Sequence, residues 1–218
     1  MRLAASEPWV RWDWVASHLD RITAALLQHV ELTLIAVGVG LLIAAPIGLL
    51  AWRYTSSRPT ILAVTGILYT IPSLALFAML VPYTGLSFLT AEIGLVSYTL
   101  LILIRNIIVG LDGVPAEVRD AAHGMGYRPA RQLLRVDLPL AFPVIMAGIR
   151  IATVTTIGLV TITALIGEGG LGQLILDGLI RDFRTPLVVG SALSIALAVV
   201  CDVGLATAQR LATPWSRA

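Results

Sequence analysis

The sequence predicts an all-α integral membrane protein: five transmembrane helices, an N-terminal amphipathic helix at the membrane interface, and one long polar loop between the third and fourth spans. Three observations carry this prediction. Hydrophobic residues make up 57% of the 218 residues and mean hydropathy is +0.89, above the balance of a soluble domain. Uncharged stretches of spanning length recur along the chain, separated by polar segments. All 15 cations are arginine and none is lysine, and they are dispersed instead of clustered, which excludes a nucleic-acid footprint.

Each element follows in order. Trp9, Trp12, Val15, Leu19, Ile22 and Leu26 recur every three or four residues, so residues 1–29 read as an amphipathic interfacial segment with tryptophans at headgroup depth. No cleavable signal sequence is evident there. The 21 uncharged residues between Glu31 and Arg53 form the first span, at the roughly 20 residues a helical crossing needs. The second fills about 60–81, with Pro72 expected to kink it. A third runs from Ile93 to Leu111. Residues 112–140 are the longest polar loop, a fourth span occupies about 141–166, and a fifth about 186–208. Residues 30–210 thus form one transmembrane domain, followed by a tail at 211–218.

Arginine distribution sets the expected orientation. With the 112–140 loop inside, eight arginines lie on the inner side and five outside, so the positive-inside rule puts the N-terminus outside and the C-terminus in the cytoplasm. Arg105, Arg150 and Asp202 fall within spans, and Asp202 is expected to pair with one of the two arginines, since an unpaired charge at that depth is costly. Thr153, Thr156 and Thr163 lie near one face of the fourth span. They suit either a polar path or bonds to their own helix carbonyls. The glycine-rich loop Gly167 to Gly172 suits either a close-packed turn contacted by a receptor or a flexible connection.

In the polar loop, Asp120, Ala121 and Ala122 are followed by Gly126 and then by Val136, Leu138 and Pro139. Small side chains let another protein approach closely, Gly126 permits positive φ, and Leu138-Pro139 is expected to stop the segment before the next span. This pattern resembles the EAA motif of binding-protein-dependent ABC importer permeases, with Asp120 in place of the usual Glu and Val136 in place of Ile. The stretches Thr70 to Leu76, Ile104 to Asn106, Gly124 to Gly126, Leu138 to Arg150 and Ala164 to Gly172 are most similar to the glycine betaine, carnitine and choline branch. The resemblance implies a type I, methionine-importer-like transmembrane fold in the bacterial inner membrane. It implies that the 114–139 loop is a cytoplasmic coupling helix that docks on an ATPase dimer, and that an extracytoplasmic binding protein and a second permease copy or paralogue complete the importer.

Other features bear on energy supply and recognition. A P-loop needs a lysine for the phosphates, and this chain has none. ATP and Mg are therefore expected on a partner, with no cofactor and no catalytic residue here. Quaternary amines favour aromatic cages, yet Trp9, Trp12, Trp14, Trp52 and Trp215 all lie outside the predicted membrane interior. Tight recognition is accordingly expected of the binding protein. Permeases for methionine, proline or sulfonate form the alternative within the class. A proton-coupled carrier or a redox subunit is the alternative outside it. The three histidines, His18, His29 and His123, offer no pair for haem or metal, and Cys201 has no partner in the chain.

Overall fold

The structure is a computed structural model and describes residues 8–214. Arg2, Ser6, Trp215 and Arg217 lie outside the described residues, as does the second half of the expected 211–218 tail. The described residues form helices and turns only: α1 Trp12–Ser17, α2 Leu19–Arg53, α3 Arg58–Thr70, α4 Ser73–Thr84 and α5 Phe88–Asp112. These are followed by α6 Ala116–Gly124, α7 Pro129–Gln132, α8 Leu138–Val160, α9 Leu171–Ile180 and α10 Arg184–Ala212. Among them four are long and apolar enough to cross a membrane, and the bent pair α3 with α4 counts as a fifth if the two helices make one span.

The first difference from the sequence reading is at the N-terminus. Only α1 is separate; from Leu19 onward the amphipathic stretch and the first span are a single 35-residue helix, because no breaker stands between them. At 1.5 Å per residue α2 is about 52 Å long, longer than the roughly 30 Å hydrocarbon core. Its N-terminal third packs on other parts of the chain. Ile22 packs on Leu171 and Leu174 with Trp14, Leu26 and Val189 around them, and Arg21 pairs with Asp177. Trp14 also stacks on His18 and meets the edge of Phe183.

At Pro72 the expected kink is a full break, the axes of α3 and α4 differing by 92°. Proline removes one helical donor, and Ile71 takes an extended ψ of 127°. Its freed carbonyl accepts a bond from the Tyr98 hydroxyl on α5, and Tyr69 packs edge-on to the same ring.

Helix α5 is the centre of the bundle, flanked by α2 and α8 with α3 and α4 outside, while α10 packs on α8 and α9. With no hydrophobic drive between helices in lipid, close contact depends on small residues. Gly40 faces Thr99 and Gly48 faces Ile107, pairs that both differ by 59 in sequence, so α2 and α5 run parallel. A Cβ on Gly148 would lie 2.4 Å from Asn106 Cβ, which brings α8 directly against α5.

Leu138-Pro139 does not stop a helix, contrary to the sequence expectation. Residues Pro129–Val160 form one continuous rod with a π-helical turn at Leu133–Asp137. The reason is local. In a regular helix the Pro139 ring would clash with the Arg135 carbonyl four residues back. The wider turn, closed by the Leu138 N–H on the Leu133 carbonyl, relieves that clash without ending the helix.

Candidate functional site

The polar loop is an ordered structure at one end of the bundle, beside the C-terminus of α2 and the start of α3. Arg58 makes a two-point contact with Asp112 there, at 2.8 and 3.1 Å, clamping α3 to the end of α5. Pro115 precedes α6, and the helix ends at Gly126 for an identifiable reason. The Tyr127 N–H bonds the Ala122 carbonyl at 3.1 Å and the Gly126 N–H bonds the His123 carbonyl at 2.9 Å. This is the paired bond pattern of a Schellman cap, which requires a left-handed residue at Gly126. Gly126 has φ 78°, and a Cβ there would meet nothing within 4 Å. Glycine is thus needed for its backbone conformation alone.

The two alanines of the motif have different surroundings. Ala122 is 1% exposed, packed inward, whereas Ala121 is exposed together with Glu117, Asp120 and Gly124. Val118 and Met125 are also exposed beside them. The outward surface of α6 therefore combines two carboxylates with two residues of minimal bulk, so a partner's backbone could approach closely. Val136, Leu138 and Pro139 are half-buried in the rod leading into α8. Sequence reasoning missed Arg119 and Asp137. Arg119 Nε donates to Asp137 Oδ1 at 2.9 Å, its Nη donates to the Leu111 carbonyl, and its guanidinium lies 5.3 Å from the Trp52 ring centroid. Asp137 is 2% exposed. An aspartate one residue before Leu138-Pro139 at the foot of a span was the available signal.

The span residues separate into two groups. Arg150 holds Asp202 by two bonds of 2.9 Å, between α8 and α10, in a groove of about 590 Å³ also lined by Thr155 and by apolar side chains such as Ile151, Val154 and Val199. Arg105 is outside that pair, on an exposed stripe of α5. Thr153, Thr156 and Thr163 are buried inside the chain. Thr153 donates to the Ile149 carbonyl at 2.8 Å, and Thr163 bonds the carbonyls of Val160 and Glu168.

At the opposite end, the loop is open at Gly167 and close-packed from Gly169 to Gly172. Gly169 lies on Ala164, Gly170 on the backbone of His29 and Gly172 on the Thr161 backbone, each too close for a Cβ. Gln28 ties the turn down, donating to Glu168 at 2.7 Å and accepting from the Gly170 N–H at 3.2 Å. His29 beneath it is fully buried and its Nε2 bonds the Ile157 carbonyl at 3.1 Å.

A bundle of spans with an ordered, small-residue helix presented at one end is the architecture of a transport permease, and residues 36–211 match the family of binding-protein-dependent transport system inner membrane components. The chain belongs to that family. Among its relatives, the choline transport system permease protein of Bacillus subtilis is 39% identical over 188 residues, covering 86% of each chain. The osmoprotectant import permease protein of Salmonella typhimurium is 36% identical over 204 residues, 91% of this chain and 94% of that one. In fold the chain is similar to an inward-facing structure of the MetNI methionine ABC transporter, with a TM-score of 0.79 at 21% identity over 86% of this chain and 94% of that one. The type I permease fold is shared across that distance.

Proposed function

We propose that this chain is the pore-forming permease subunit of an ATP-driven importer of osmoprotectants, the quaternary amines choline, glycine betaine and carnitine. It forms half of a translocation path and is completed by a second permease. ATP is hydrolysed with Mg on a separate ATPase dimer that docks on α6, and an extracytoplasmic binding protein delivers the solute. The protein lies in the bacterial inner membrane with α6 in the cytoplasm and the N-terminus outside.

The observation that carries this reading is the outward surface of α6, with Asp120, Ala121 and Gly124 exposed on a helix that a Gly126 cap terminates. Charge supports the orientation. Arg53, Arg58, Arg119, Arg128, Arg131 and Arg135 gather at the α6 end, as the positive-inside rule expects of a cytoplasmic face. The absence of lysine supports a separate ATPase, and the two named relatives support the solute class.

Reconstitution with the ATPase and binding protein from the same source tests it. Labelled choline, glycine betaine, carnitine and methionine would be offered with ATP inside the vesicles. ATP-dependent accumulation of at least one quaternary amine, but not of methionine, is expected. Uptake that needs no ATPase subunit, or methionine uptake alone, would refute the proposal.

A further inference from the structure

Helix α6 packs chiefly on the 129–137 segment that precedes α8, with little direct packing on the spans themselves. One side chain makes three connections beyond it. Arg119 reaches the carboxylate of Asp137 in the π turn, the carbonyl of Leu111 in the last turn of α5, and the face of Trp52 at the end of α2. Its planar fork allows two bonds and a ring contact at once, which a lysine ammonium cannot reproduce. Asp137, 2% exposed, has that guanidinium as its ion-pair partner.

We propose that Arg119 is the positioning residue through which displacement of α6 is delivered to α8, α5 and α2. This rests on the coupling reading of the loop and names the path by which the motion leaves it. Asp137 is the receiving group, because it ends the π turn at Leu133–Asp137 and is continuous with α8. π turns inside helices recur at functional positions. With the ion pair in place, α6 and the foot of α8 move together. Without it, α6 still presents its exposed surface to the ATPase, but its motion is no longer tied to the spans.

The test uses the assembled importer in liposomes and reads ATP hydrolysed per labelled choline accumulated, together with the amount of ATPase retained. Removing Arg119 alone orphans a buried carboxylate and risks misfolding. The principal variant is therefore Arg119→Met with Asp137→Leu, which removes both charges together, and Arg119→Lys is its companion. Both should retain normal ATPase, with the ratio raised about tenfold or more in the double variant and less in Arg119→Lys. A wild-type ratio in the double variant overturns the proposal. Should the double variant fail to reach the membrane, a wild-type ratio in Arg119→Lys overturns it instead. Ala121→Trp separates the two ideas. If it sheds the ATPase while the Arg119 variants couple normally, only the Arg119 inference falls; if it binds the ATPase and transports normally, the coupling reading of the loop falls too.

Discussion

Replacing Gly126 isolates backbone conformation from bulk, because φ is 78° and an added Cβ would meet nothing within 4 Å. An alanine there carries only the left-handed penalty, about 1–2 kcal/mol. That lowers the ratio of capped to uncapped turn about 5- to 30-fold. A β-branched valine should approach the upper end of the roughly 1–3 kcal/mol range for strained backbone. Asparagine, which visits this region several times more readily than most residues, should lose least. Gly126→Asn, Gly126→Ala and Gly126→Val should therefore lose ATPase retention and solute uptake in that order. Permease amounts in the membrane should stay near wild type, since the turn lies outside the spans. Equal activity in Asn, Ala and Val variants would show that the cap does not position α6 for any partner.

The two alanines should respond differently to bulk: Ala121→Trp leaves the chain intact but blocks docking, whereas Ala122→Trp, at a buried position, should expose the loop to protease and lower permease amounts. Limited proteolysis beside an ATPase pull-down separates them, and identical behaviour would contradict the assigned faces. Gly148→Ala sets a Cβ 2.4 Å from Asn106 Cβ and should destabilise the α5–α8 contact, by about 1–3 kcal/mol as overpacking usually does. A lowered thermal midpoint in detergent checks it. Asp202→Leu should reduce membrane amounts by orphaning Arg150, and adding Arg150→Met should restore them. No loss in the single variant would show that the pair is dispensable for insertion.

How much was legible in the sequence depends on the range of each signal. Span number and approximate limits follow from hydropathy, which is local, and Gly126 from its place in the motif. The Pro72 break was located but its 92° size was not, because that angle is set by Tyr98 on a different helix holding the Ile71 carbonyl. The N-terminal segment looked separable from the first span because its composition changes near Glu31, yet helix continuity depends on breakers and none is present. Leu138-Pro139 looked like a stop because a π turn cannot be anticipated from proline spacing alone. Arg119 and Asp137 lie 18 residues apart, and the charge run 112–140 offers several other pairings, Glu117 with Arg135 at the same spacing among them. Only the folded loop selects one. Thr153 and Thr163 left two roles open; Thr153 bonds the Ile149 carbonyl of its own helix, and Thr163 bonds the carbonyls of Val160 and Glu168 on either side of it.

The central claim is that an ATPase docks on α6 at the arginine-rich end of the bundle. Thiol cross-linking measures it directly in a chain whose Cys201 has been replaced by serine, with one cysteine at Ala121 or, at the opposite end, at Arg181. The account predicts a cross-linked permease–ATPase species from Ala121→Cys that changes in yield when ATP is added, and none from Arg181→Cys. Cross-linking from Arg181→Cys and not from Ala121→Cys would contradict it.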